Sequence, residues 1–198
     1  TLTLSGIANT GSNEISGVIG GGIISSLIVG AATPNGGTAE AGYWILSGNN
    51  SYTGGTPITG SSILRIAHAN ALGTTANGTS VASGSALELT GGISVGAEAL
   101  SLSGDGISSG GGLRNISGNN SYAGVITLGG AARINSDANT LTLSATATVD
   151  LNGNSVTLSG LAGTGGELTN ADAVNAATVT LAGATDTTFA GILSGNLG

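Results

Sequence analysis

The chain of 198 residues has no cysteine, no methionine and no lysine, a single histidine, and only 3% aromatic and 7% charged residues. Without cysteine there is no disulfide, no thiolate nucleophile and no Cys-type zinc or iron–sulfur site. The only cations besides the chain terminus and that histidine are Arg65, Arg114 and Arg133, against ten acids, for a formal charge of −7. Nucleic acids and anionic membranes are bound through a dense Lys/Arg footprint, so neither is an expected partner, and no membrane insertion is expected. With so few aromatics, small aliphatic side chains must fill any core. Low charge does not imply disorder here, because disordered chains combine low hydrophobicity with high net charge, and the mean hydropathy is +0.35.

What is abundant is glycine, 38 residues, with Ser, Thr and small aliphatics between. Glycine or Ser-Gly punctuation returns too often for long helical faces. Between the breaks one phrase is written five times: T-L-T-L-S (1–5), L-S-L-S-G (100–104), L-T-L-S (141–144), V-T-L-S-G (156–160) and V-T-L-A-G (179–183). Each reads as a short strand with aliphatics on one face and hydroxyls on the other. Residues 15–32 run uncharged for nearly the length of a membrane helix. Three consecutive glycines (20–22), many β-branched residues and no basic flanks point instead to two short strands and a glycine turn.

The hexapeptide S-G-N-N-S-Y stands at 47–52 and again at 117–122. The flanks align once two residues are gapped from the second copy, and an even gap keeps every later side chain on its face of the strand. Tyr52, Thr56, Ile58, Leu64 and Ile66 then share one parity, as do Tyr122, Ile126, Leu128, Ala132 and Ile134. Arg65 and Arg133 fall at one equivalent outward position. The 70-residue spacing suits about three solenoid turns of roughly 20–25 residues. The expected fold is all-β: one continuous parallel β-solenoid over 1–198 with essentially no helix. Repeat copies lie near 44–74 and 113–139, without a linker. About eight or nine turns would make a rod about 40 Å long.

W-I-L-S-G-N-N-S-Y-T-G-G-T-P-I-T-G (44–60), A-N-A-L-G-T (69–74) and N-I-S-G-N-N-S-Y-A-G (115–124) resemble the autotransporter-associated β-strand repeat of bacterial autotransporter passenger regions. N-E-I-S-G-V-I-G (13–20) and T-F-A-G-I-L-S-G (188–195) are similar to the element preceding such repeats. The resemblance implies a right-handed parallel β-helix, exposed on or released from a bacterial cell. It supplies no catalytic residue, because the repeat carries none.

Candidate chemistry is sparse. His68 follows a strand and reads as a turn residue. The acids Glu14, Glu40, Glu88, Glu98, Asp105, Asp137, Asp150, Glu167, Asp172 and Asp186 are never closer than five positions, so no carboxylate pair of glycosidase type is evident unless stacking builds one. S-G-D-G-I-S-S-G-G-G (103–112) has one Asp and no nonapeptide iteration, which favours a turn over a calcium site, and G-L-A-G-T-G-G (160–166) lacks the lysine of a phosphate loop. Threonine ladders are not regular enough for a flat ice-binding face. Asn49, Asn77, Asn115 and Asn119 open N-x-S/T triplets that arise by chance in such a composition. Catalytic, cofactor and metal sites are all expected to be absent.

Two sets of residues are singled out. Asn49, Asn50, Tyr52, Asn119, Asn120 and Tyr122 mark the structural repeat, the asparagines suiting tight corners and the tyrosines packing inward. Thr1, Leu2, Thr3, Leu4, Ile192, Leu193 and Leu197 mark the two ends, where a solenoid leaves strand edges and core open. The sequence starts without an initiator methionine or signal pattern, so it is read as processed or as part of a longer polypeptide. Reading I-L-S-G-N-L-G into T-L-T-L-S-G continues the repeat rhythm. The expected function is therefore a non-enzymatic extracellular or cell-surface building block, part of a stalk or of a homopolymer stacked end to end. The alternative is an adhesin binding a glycan or cell-surface ligand. Its expected signature is a cluster of exposed aromatics, but Tyr43, Trp44, Tyr52, Tyr122 and Phe189 are scattered.

Overall fold

A computed structural model describes residues 1–6, 13–20, 25–31, 41–143, 148–159, 166–182 and 189–197. All of its named strand pairings are parallel, and the strands form three ladders running along one solenoid of about seven turns. Among the described residues, a 3₁₀ turn at Ile107–Ser109 is the one helical element. No helix there is long and apolar enough to cross a membrane.

The first ladder stacks Leu2–Leu4, Leu27–Val29, Thr56–Ile58, Thr79–Val81, Leu100–Gly104, the first part of Ile126–Ser136, Thr148–Asp150, Glu167–Asn170 and Ile192–Gly195. The second stacks Asn13–Ile15, Tyr43–Leu46, Ile63–Ile66, Ala86–Leu89, Leu113–Asn115, the last part of Ile126–Ser136, Val156–Leu158 and Val179–Leu181. The third is short, joining Ser94–Val95, Asn120–Tyr122 and Leu141–Leu143. Successive turns vary in length, from 19 residues (Val149 to Leu168) to 31 (Asn13 to Trp44). The long turns near the N-terminus account for a turn number slightly below the expected eight or nine.

Alternation builds the core. Leu4, Val29, Ile58, Val81, Leu102 and Leu128 are register partners on the first ladder, and every one is buried. Leu64, Leu87, Leu113, Ile134 and Leu158 form the facing column. Each such side chain contributes roughly 1.5–3 kcal/mol by leaving water, so stacked aliphatics can hold this rod without many aromatics. All five T-L-T-L-type phrases are strands, yet they are divided among three ladders. The uncharged run 15–32 contributes the strand Leu27–Val29 and the end of Asn13–Ile15; its residues 21–24 and 32 lie outside the described residues.

The two hexapeptide copies lie three turns apart, through Ile58, Val81, Leu102 and Leu128. Every residue of the two parity sets faces the core, so that expectation holds. The two-residue gap does not. Thr56 stacks through Thr79 and Leu100 to Ile126, and Leu64 through Leu87 and Leu113 to Ile134, so the copies superpose ungapped at 70 residues. Arg65 therefore shares its column with Asn135, not with Arg133. Two residues is one pleat period, so a misplaced even gap leaves inside and outside intact while shifting the stacking partners.

Candidate functional site

The corner residues of the hexapeptide hold consecutive turns together. In the first copy the Ile19 N–H donates to Asn50 Oδ1 (2.8 Å) and the Ser51 N–H donates to the Ile19 carbonyl (2.9 Å). Asn50 Nδ2 donates onward to the Ala71 carbonyl at 2.6 Å, so one side chain ties three turns. The second copy repeats the grip on the preceding turn: the Ile93 N–H donates to Asn120 Oδ1 (2.6 Å), and the Ser121 N–H to the Ile93 carbonyl (2.9 Å). Asn120 Nδ2 turns instead to the Asn115 Oδ1 and the Ser117 carbonyl. Asn50 and Asn120 are buried, and an unpaired buried amide would cost about 1–3 kcal/mol, which explains why asparagine stands there. Asn49 and Asn119 are exposed and accept from the Asn70 side chain and the Thr140 N–H. Two further corner asparagines went unrecognised as such in the sequence. Asn170 receives the Gly153 N–H and donates to the Asn175 and Asn196 carbonyls. Asn115, 0% exposed and spent on Gly118, Ser136 and Ala138, is closed to glycosylation.

Tyr52 and Tyr122 both fill the core, in different polar company. The Tyr52 hydroxyl is 2.7 Å from Thr56 Oγ1, and burial pushes its pKa up to about 12 against the pull of that hydrogen bond. Tyr122 is fully buried, its hydroxyl has no partner among the described residues, and burial raises it further. Tyr52→Phe is accordingly expected to cost about 1 kcal/mol, whereas Tyr122→Phe should be neutral or stabilising by up to about 1 kcal/mol. Urea midpoints of the two variants check this; the reverse order would contradict the assignment.

On the outer face of the second ladder, stacking assembles charges that are far apart in sequence. Arg65, Glu88 and Arg114 are register neighbours in successive strands. Glu88 accepts from Arg65 Nε and Nη2 (3.0 and 2.7 Å) and from Arg114 Nη1 (3.3 Å), while Arg114 Nη2 pairs with Asp137 at 2.6 Å. Glu88 is 2% exposed beneath the two arginines, so its carboxylate is closed to a substrate. The Arg65 guanidinium also lies 5.4 Å from the Tyr43 ring centre. Arg114 is held protonated above its ordinary range, chiefly by its hydrogen bond to Asp137.

Among the described residues, the Glu98 carboxyl is buried away from the charged outer face. Glu98 is 3% exposed, accepts from the Thr79 hydroxyl at 3.0 Å, and is pushed by burial from 4.5 up to about 7. His68 is a turn residue whose Nδ1 accepts the Asn70 N–H. No three His, Cys, Asp or Glu side chains come together among the described residues; Glu40, Asp186 and most of the 160–166 glycine run lie outside them. Comparison with protein-family models, curated proteins and solved structures found no match. The functional reading therefore rests on the solenoid itself.

Its ends differ from its middle. On the first ladder, exposure climbs from 3% at Leu168 to 57% at its register partner Leu193, and Ile192 is 61% exposed. On the second it climbs from 6% at Leu158 to 53% at Leu181. Leu197 is half-buried and bridges Ala177. At the other end Thr1 and Thr3 are exposed and Leu2 half-buried, while Leu4 points into the core at 4% exposure.

Proposed function

We propose that this chain is a non-enzymatic structural segment of an extracellular or bacterial cell-surface protein, a β-solenoid building block that extends by end-to-end stacking into a stalk or filament. What supports the reading is an unbroken stack of parallel, register-paired strands from Leu2–Leu4 to Ile192–Gly195, whose last strand, with Leu193 exposed where its register partner Leu168 is buried, has the form that a further solenoid turn would cover. The strand Leu2–Leu4 has the complementary form: among the described residues it pairs with Leu27–Val29 alone, and it alternates aliphatic and hydroxyl residues. A second copy seated there would continue the ladder in parallel and cover Leu193, a head-to-tail contact that does not close on itself. The resemblance to autotransporter passenger repeats supports the surface location, and the scarcity of charge suits a rod whose turns stack through hydrogen bonds and small side chains.

At micromolar concentration, electron microscopy and light scattering are expected to show rods longer than one molecule, with an axial repeat near about 4.8 Å per turn. Leu193→Lys, which places a charge on the open rung, should shorten them. Monodisperse monomers, unchanged by deleting residues 1–5, would overturn the proposal.

A further inference from the structure

Arg133 is the one arginine whose side chain makes no hydrogen bond or ion pair among the described residues. It lies in the strand Ile126–Ser136 beside its register partner Thr157, on the outer face of the second ladder. Its Nε is buried without a partner, while the side chain lines an open groove of about 430 Å³. The groove is also lined by the loop that follows Leu100–Gly104, where the ladder register shifts between Leu102 and Gly104. That loop contributes Gly104, Asp105 and Ser109, and Ser155 and Thr157 line the next turn. On the same face of the strand, the exposed Ala131 adds only a methyl group to the groove.

The chemistry of the walls narrows the ligand. A guanidinium fork fits a planar carboxylate, and no carboxylate among the described residues takes that of Arg133. Asp105 does not reach Arg133; it accepts from the Ser109 hydroxyl through Oδ2, leaving Oδ1 to receive a hydroxyl from outside. One cation, one anion and the hydroxyls of Ser109, Ser155 and Thr157 make a neutral polar lining, in a chain of net charge −7. The net negative charge of the chain disfavours multiply charged anions, and the lining suits a molecule with one carboxylate among several hydroxyls. The volume lies within the usual range for small-molecule sites of roughly 300–1,000 Å³. We infer that the Arg133 groove is a subsite for an acidic saccharide unit of the uronic-acid class, its carboxylate on the Arg133 amino groups and its ring hydroxyls on Asp105 and the neighbouring Ser and Thr. The site is independent of end-to-end assembly, because it opens on the side of the solenoid.

The test is titration of the intact chain with glucuronate, glucose and sulfate, followed by NMR chemical shifts. Glucuronate is expected to bind saturably in the millimolar range, as befits one sugar unit in an open groove, with glucose and sulfate much weaker. Arg133→Gln should weaken glucuronate at least about tenfold without changing the urea midpoint, and Asp105→Asn, on the exposed loop, should weaken it less. Sulfate binding as tightly as glucuronate, improved by Asp105→Asn, would reduce the groove to an unspecific anion site and overturn the saccharide assignment. Absence of saturable glucuronate binding, or shifts that survive Arg133→Gln, would overturn the site altogether. Should Arg133→Gln fail to fold, Asp105→Asn decides: unchanged glucuronate affinity rejects the proposal.

Discussion

Gly124→Ala is expected to cost at least about 3 kcal/mol, the loss reserved for changes that displace a packed main chain. A Cβ built on Gly124 would lie well inside 3.0 Å of the Glu98 carbonyl oxygen and carbon, and 3.0 Å from the Glu98 nitrogen. The obstacle is backbone of the preceding turn, so no rotamer change relieves it. Separating the turns there strains the adjacent bonds from the Leu100 N–H to Val125 O (2.8 Å) and from the Ala123 N–H to Val95 O (3.1 Å). Gly54, two residues after the first hexapeptide copy, faces the Ser25 carbonyl in the same way. The control is Gly96→Ala: nothing lies within 4 Å of its would-be Cβ and its backbone is not left-handed, so the change should stay within about 0.5 kcal/mol. Urea midpoints at unchanged m-value separate the two. Equal, small losses would mean that the second glycine of S-G-N-N-S-Y-x-G is not required by the spacing between turns.

This glycine illustrates what the sequence could and could not reveal. Period-two alternation decides inside from outside locally, so Tyr52, Thr56, Ile58, Leu64 and Ile66 and their counterparts were legible as core without any knowledge of the fold. Which ladder a strand joins was not legible, because L-T-L suits all three faces and the assignment depends on corner lengths. Matching letters also misled: the shared R-I of Arg65-Ile66 and Arg133-Ile134 invites a gap, but stacking counts residues around the turn and puts Ile63, not Arg65, three turns from Arg133. Glu98 has the parity of Leu100 and Leu102 and could have been read as inward. Glu88 could not, since it is covered from outside by arginines 23 and 26 residues away. The groove around Arg133 was equally hidden, being assembled from segments near 105, 133 and 156 by the stacking itself.

The buried Glu98 carboxyl makes the solenoid weaker as pH rises through neutrality. In the unfolded chain this group releases its proton near the ordinary value of 4.5; in the fold, burial holds the proton until about pH 7, with the Thr79 hydroxyl pulling modestly the other way. The other titratable groups facing it are Tyr52 and Tyr122, themselves raised above their ordinary range and neutral here. The folded state thus binds more protons than the unfolded state between about pH 4.5 and 7, so the contribution is fully present below that window and is lost as pH climbs through it. At about 1.4 kcal/mol for each tenfold in proton affinity, the difference is on the order of 2–3 kcal/mol. Asp172 works in the opposite sense, its carboxyl lowered by hydrogen bonds from Asn175 and Val174, but its contribution fades only in the acid range below the Glu98 window. Urea midpoints for the parent chain should therefore fall from pH 5 to about pH 7 and level off towards pH 8. Glu98→Gln, which keeps the shape and carries no titrating proton, should flatten the profile and exceed the parent at pH 8. A parent profile flat across this range, or a slope that persists in Glu98→Gln, would show that the core carboxyl is ionised in the fold and that its burial is relieved by water reaching the corner between Thr79 and Tyr122.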